Sequence, residues 1–78
     1  SLLKLLEPVR LRLEIFALDG HLVRRAVDAP HNSGNLTLSW DGLDDAGRVV
    51  PPGSYLYQIR LDADASKARH HGIVSVAY

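Results

Sequence analysis

Apolar and polar residues alternate with a period of two along most of this chain. One face of residues 9–17 carries only apolar side chains, and the opposite face carries Arg10, Arg12 and Glu14. Because successive side chains of a strand point to opposite faces, this segment predicts a strand with one buried and one solvated face. Further alternating segments predict strands at residues 22–27, 36–40, 54–61 and 71–78, and a shorter one at 49–50.

Turn-forming residues separate these segments. Asp19-Gly20 predicts a hairpin with a type I′ turn, because both central residues of that turn need a positive φ. A loop is predicted at residues 28–35 and a polar turn at 62–69. Residues 2–6 fit either one turn of helix or a short strand, which Pro8 ends in both cases.

The number and spacing of the predicted strands indicate the fold class. Six or seven short strands without a helical pattern predict an all-β domain, an immunoglobulin-like or fibronectin III-like antiparallel β-sandwich of about seven strands. Residues 40–57 form its central connection, in which three glycines, two prolines and three aspartates stand between a tryptophan and two tyrosines. We expect this connection to be compact and folded.

Length, cysteine content and charge limit the classes of function. The 78 residues suffice for one domain, residues 1–78, with a small core. There is no cysteine for disulfides or thiolate metal sites, and a net charge of zero gives no basic field for nucleic acid. No apolar run approaches the roughly 18–20 residues of a membrane span, and residues 1–6 do not fit a signal peptide. Since the sequence lacks an initiating methionine, we expect it to be processed or to belong to a longer protein.

Four segments together resemble a known family. They are IFALDGHLVR at residues 15–24, SG at 33–34, LSWDGLDDAGR at 38–48 and PGSYLY at 52–57. They resemble the FlgD-type immunoglobulin-like domain, which is named after the flagellar hook-capping protein. The chain is also similar to C-terminal domains of secreted bacterial proteins, including type IX secretion sorting domains. Residues 67–72 depart from the usual final strand of the family.

The resemblance implies a bacterial, extracytoplasmic, non-enzymatic β-sandwich in a periplasmic, cell-surface or secreted protein. Such a module would act as a spacer, cap or docking domain. Its partners would be other domains of a longer polypeptide or neighbouring subunits of an assembly. One alternative is an accessory subunit of a larger membrane or surface complex, and another is a carbohydrate- or calcium-binding module. No cofactor, no nucleic acid partner and no direct membrane span are expected.

The aspartates of the central connection have two interpretations. Asp41, Asp44 and Asp45 could supply oxygen ligands to calcium. Their spacing does not match the EF-hand pattern, however. Aspartate side chains also cap turns, and Gly42, Gly47 and Gly53 are expected to serve the fold, the first two by supplying positive φ in turns. We therefore expect structural turns and no metal.

Histidines and serines are the remaining candidates for chemistry. His70-His71 could bind a metal or respond to pH, but adjacent residues of a strand point to opposite faces and do not easily chelate one ion. Ser33, Ser39 and Ser54 do not lie in a Gly-x-Ser-x-Gly elbow. So small a domain also offers little room for a cleft, and we expect no catalytic residues.

Three aromatic residues border the central connection. Trp40, Tyr55 and Tyr57 could form a platform for a sugar or peptide. Each occupies a position predicted to point inward from its strand, so we expect core packing instead. Trp40→Ala is then expected to unfold the domain.

The arginines Arg10, Arg12, Arg24 and Arg25 occupy the predicted solvated side of neighbouring strands. They could form a docking surface for an acidic partner. They could equally protect the edge of a sheet by their charge.

Overall fold

The computed structural model describes residues 2–78, which form six strands and no helix. The strands are β1 (Leu2–Leu5), β2 (Val9–Phe16), β3 (Leu22–His31), β4 (Gly34–Thr37), β5 (Gly53–Asp62) and β6 (Lys67–Val76). No segment in this part of the chain is therefore a helix of the length and apolarity needed to cross a membrane.

The strands form two antiparallel sheets. A four-stranded sheet has the order β3-β2-β5-β6, and β1 pairs with β4 in a two-stranded sheet. The prediction of an all-β sandwich is confirmed, but the strand count is six and not about seven. Residues 49–50 contribute only a single bridge, between Leu43 and Val49. Of the two interpretations of residues 2–6, the strand is correct, with Leu3 opposite Leu36 of β4.

The core lies against one face of the four-stranded sheet, which we call the inner face. It is centred on β2, whose Leu11 and Ile15 are almost completely buried. The other buried apolar residues packed there are Leu13, Leu38, Val50, Tyr55 and Ile59. The opposite face of this sheet, called the outer face below, carries the residues that alternate with them. It includes Arg12 and Glu14 of β2.

The hairpin between β2 and β3 is confirmed, but its turn is not of type I′. No residue other than glycine has a positive φ among residues 2–78, and here only Gly20 does, at 94°. The Gly20 N–H donates to Ala17 O at 2.9 Å, which places Leu18 and Asp19 at the centre of the turn. This pattern matches a type I turn followed by a glycine bulge. Asp19 closes the turn by accepting the His21 backbone N–H at 3.1 Å.

Strand β3 is longer than predicted, because the predicted loop at residues 28–35 begins inside it. Asp28 and Pro30 pair with Arg12 and Arg10 of β2. Proline and charge favour a loop in sequence, but both are tolerated at the edge of a sheet, where an N–H can face solvent. Since β3 is an edge strand, its polar half still pairs with β2.

Two other boundaries also differ from the predictions. The polar turn predicted at residues 62–69 is shorter, and its backbone is closed by the Ala63 N–H, which donates to Ser66 O at 2.9 Å. Strand β6 begins directly afterwards at Lys67, where pairing with Asp62 outweighs the polar composition. Strand β4 ends at Thr37, whereas the predicted strand ran to residue 40. Trp40 therefore lies beyond the strand.

Candidate functional site

The central connection folds into a tight turn held by its own backbone. The Asp44 N–H donates to Arg48 O at 2.8 Å, and the Gly47 N–H donates to Asp44 O at 3.0 Å. The Val50 N–H donates to Gly42 O at 3.0 Å and closes the base. Gly42 and Gly47 have φ values of 77° and 78°, a region that only glycine adopts readily. The glycines thus permit the reversal that brings residues 43 and 49 together.

Each aspartate of this turn accepts backbone N–H groups. Asp41 Oδ1 accepts from Leu43 at 3.0 Å, and Asp44 Oδ1 accepts from Ala46 and Arg48, each at 2.9 Å. The backbone N–H of Arg48 is the main cause that lowers the pKa of Asp44. The carboxylates are thereby directed at separate amides. Across residues 2–78, no three His, Cys, Asp or Glu side chains are grouped so that they could hold a metal ion.

Asp45 connects the turn to the four-stranded sheet. Its Oδ1 accepts the backbone N–H of Arg25 at 2.9 Å, and its own N–H donates to Val23 O at 3.0 Å. Arg24 reaches the turn from the same strand, and its Nη1 donates to the carbonyl oxygens of Leu43 and Asp44 at 3.3 Å each. The turn is therefore fastened to β3 by backbone and side-chain bonds.

The aromatic residues pack within the domain. The Trp40 indole N–H donates to Leu43 O at 2.9 Å, and its ring meets that of Tyr55 edge-on, with centroids 5.4 Å apart at 72°. The Tyr55 hydroxyl donates to Pro51 O. Tyr57 lies against Gly72 of β6, where no side chain intervenes. Edge-on rings bonded to the backbone do not present the parallel, open faces on which a sugar ring stacks.

The four arginines proposed as one surface do not share a face. Arg10 and Arg12 lie on the outer face and contact Asp28 Oδ1 at 2.9 Å and 3.2 Å. Arg25 also lies on that face, but Arg24 turns to the central connection, and its inclusion in the surface was wrong. The cause is the alternation of the strand, since adjacent residues such as Arg24 and Arg25 point to opposite faces. Arg25 is paired with Glu14, and Arg24 is paired with Ile15, whose side chain lies in the core.

Glu14 is a buried acid that sequence reasoning placed on the solvated side. It is only 6% exposed. Its Oε2 lies 3.1 Å from Arg25 Nη2, and its Oε1 lies 3.8 Å from Arg60 Nη1. Arg25 and Arg60 come from the strands on both sides of β2, so their side chains cover the carboxylate. A buried charge is tolerated only with such partners. The pairing of neighbouring strands brings them to Glu14, and the sequence alone does not show that pairing.

Arg60 and Arg69 extend the basic surface beyond the predicted residues. The registers place Arg12 opposite Arg60, and Arg60 opposite Arg69. Asp28 stands at the other end of this row, opposite Arg12. Three arginines thus lie side by side across three strands of the outer face. Their outward positions in alternating strands could have been noted from the sequence, but not their alignment.

Comparison with known families agrees with this architecture. The model of the FlgD Ig-like domain family matches residues 3–67, which include the turn, strands β2 to β5 and all of β1 but its first residue. The chain belongs to the FlgD Ig-like domain family. No curated protein and no solved structure matches the chain.

The histidines and serines of this FlgD Ig-like domain do not converge. His71 is paired with Gln58 on the outer face, and His70 with Ile59 on the opposite side of the strand. Both histidines are exposed. Within residues 2–78, no side-chain hydrogen bond joins Ser33, Ser39 or Ser54 to a histidine. A surface depression of about 610 Å³ lies beside the turn, but among residues 2–78 its lining contains no serine, threonine or cysteine.

Proposed function

We propose that this FlgD Ig-like domain is a non-catalytic structural and protein-interaction module of a bacterial extracytoplasmic protein or surface assembly. Its role there is that of a spacer, cap or docking domain. Membership of the FlgD Ig-like family carries the proposal, since that family is structural and belongs to flagellar hook assembly. As in any fold shared by many proteins, the family supports the kind of module and leaves the partner open.

The use of the motif residues supports a structural role. The aspartates of the turn accept backbone N–H groups, and Trp40 donates to a backbone carbonyl. These polar groups stabilise the connection between the two sheets. A solvent-exposed face remains on the four-stranded sheet, and contacts through such a face or through sheet edges are the usual means by which a β-sandwich binds other proteins.

Narrower assignments belong to the same proposal. The partners are other domains of a longer polypeptide or neighbouring subunits, and the domain acts on the periplasmic, cell-surface or secreted side. An accessory subunit of a membrane or surface complex would use the same contacts. A type IX sorting role would require the C-terminal strand to carry a secretion signal. Fusion of this domain to a periplasmic reporter tests that role, because a sorting domain would move the reporter to the cell surface.

Native mass spectrometry of untagged protein from fractionated source cells tests the proposal. We expect the sequence in the envelope or secreted fraction, either within a larger polypeptide or in fixed ratio with other proteins. A free monomer confined to the cytoplasm would overturn it. Calcium titration during thermal unfolding is the matched test of the ion-binding alternative, since an ion that binds only the folded state raises Tm. An unchanged Tm is expected.

A further inference from the structure

The outer face of the four-stranded sheet is not covered by any other element of residues 2–78. The second sheet packs on the inner face, where Leu11, Leu13 and Ile15 are buried. An antiparallel sheet with one solvated face normally carries polar residues there. Two departures distinguish this face from an ordinary solvated face, a row of apolar residues and a row of like charges.

The apolar departure is a row that crosses all four strands. The registers align Leu22 of β3, Phe16 of β2, Leu56 of β5 and Ile73 of β6. Ile73 remains 67% exposed and Leu22 39% exposed. With neighbouring strands about 4.8 Å apart, the row is about 14 Å long. Phe16 and Leu56 between them are half-buried. Apolar side chains that line up on a solvated face and are rimmed by polar residues are a feature of interaction sites.

The basic departure is the row of arginines. Arg60 lies directly between Arg12 and Arg69, and like charges directly opposite one another destabilise a sheet. Asp28 contacts Arg12, and Glu14 approaches Arg60, but Arg69 has no ion pair within residues 2–78. The row is therefore not explained by the stability of the isolated domain.

The outer face has an excess of positive charge although the whole chain is neutral. Its basic residues are Arg10, Arg12, Arg25, Arg60, Lys67 and Arg69, and its acidic residues are Glu14, Asp28 and Asp62. The remaining surface has a matching negative excess. Opposite potentials across an interface direct encounter and fix orientation, so this face fits an acidic surface.

The two rows have a fixed separation. Phe16 and Arg12 are four residues apart on β2, which corresponds to about 13 Å along the strand. Glu14 lies between them and contacts Arg25 and Arg60. Because those contacts restrain the arginine side chains, less conformational entropy is lost when a partner binds.

We propose that the outer face docks a protein whose surface presents an apolar ridge beside a cluster of Asp and Glu residues about 13 Å away. This inference rests on the proposed function and names its surface. The apolar row favours a protein over nucleic acid. Interspersed Glu14, Asp28 and Asp62 also oppose a surface of closely spaced phosphates.

Site-specific photo-crosslinking in the full-length protein in source cells tests this proposal. The crosslinking amino acid replaces Ile73 on the outer face or, as a control, Val49 beside the central turn. The two positions are matched, since Ile73 is 67% and Val49 66% exposed. We expect a protein crosslink from position 73 and not from 49. The crosslinked peptide should contain apolar residues close in space to several Asp or Glu residues.

Arg69→Glu supplies a variant that separates docking from stability. It replaces a like-charge pair with an Arg60–Glu pair, so Tm should stay the same or rise. The crosslink from position 73 should nevertheless fall by about tenfold or more. Lys4→Glu, with the same charge change at an exposed side chain of β1 that has no ion pair within residues 2–78, should leave the crosslink unchanged.

The outcomes distinguish this inference from the proposed function. A protein crosslink from position 49 and none from 73 would overturn the docking surface and leave an interaction module. A crosslink from 73 to nucleic acid or lipid would overturn the protein partner. No protein crosslink from either position, together with a free monomer in native mass spectrometry, would overturn both proposals. A crosslink from 73 that Arg69→Glu does not weaken would overturn the acidic partner.

Discussion

A single methyl group at Gly72 tests how Tyr57 joins β5 to β6. These residues are directly opposite one another, and the tyrosine ring lies where a side chain at position 72 would be. A Cβ on Gly72 would lie 2.6 Å from the Tyr57 hydroxyl oxygen and 2.7 Å from two ring carbons. Since carbon atoms pack best at about 3.5–4.0 Å, the ring would have to move by about 1 Å.

The magnitude for Gly72→Ala follows from two opposing effects. Overpacking of this kind costs about 1–3 kcal/mol. Alanine in place of a strand glycine regains roughly 0.5–1 kcal/mol, because glycine loses more backbone entropy on folding. Gly72 does not have the positive φ that would add strain. The two ranges leave a net loss of about 0–2.5 kcal/mol, and we expect about 1 kcal/mol, which lowers Tm by about 4–8 °C in a domain of this size.

Thermal and urea unfolding followed by circular dichroism would measure this loss in two backgrounds. The second background is Tyr57→Leu, which removes the hydroxyl and the ring atoms that the methyl group would meet. There, Gly72→Ala should be neutral or stabilising, and the difference between backgrounds is the coupling energy. The reasoning is refuted if Gly72→Ala leaves Tm unchanged with Tyr57 present. It is also refuted by equal losses in both backgrounds.

Three further substitutions test the motif and the buried acid. Trp40→Ala should unfold the domain, since truncating a packed tryptophan costs about 3–5 kcal/mol, and a cooperative melt near the wild-type Tm would contradict this. Asp44 has a folded pKa below its usual 3.8, caused first by the Arg48 backbone N–H, so it stabilises above that pH and the contribution is lost as pH falls through the folded value. Asp44→Asn should therefore melt lower at neutral pH but lose less stability in acid, as a pH series of melts would show. Glu14→Gln should cost about 1–2 kcal/mol in urea unfolding because Arg25 loses a charged acceptor, and an unchanged midpoint would argue against that ion pair.

The sequence predicts those features that depend on local pattern. The alternation of residues 9–17 correctly predicted β2 and its buried face. In a central strand, the residues that alternate toward one side all meet the core. Asp19-Gly20 likewise predicted the hairpin from local sequence alone. The predicted turn type was wrong because Asp-Gly can occupy either the two central positions of a type I′ turn or, as here, the third and fourth positions of a type I turn. The backbone bonds across the hairpin select the second arrangement.

Features that depend on register could not be predicted. Alternation alone places Arg24 and Arg25 on opposite faces, but the register decides which of them contacts the central turn and which contacts the buried carboxylate. Burial of Glu14 depends on arginines from two other strands. The polar ends of β3 and β6 were assigned to loops because composition does not distinguish an edge strand from a loop.

The motif residues and the proposed docking residues occupy different parts of this domain. Trp40 and Tyr55, which carry the family resemblance, bond and pack within the sandwich. The family match ends at residue 67, so all of β6 after its first residue lies outside it. That strand supplies Arg69 and Ile73 to the outer face, while its alternate residue Val74 packs on the core. Under the docking proposal, substitutions at the outer positions of β6 would change which protein binds without disturbing the contacts that hold the fold.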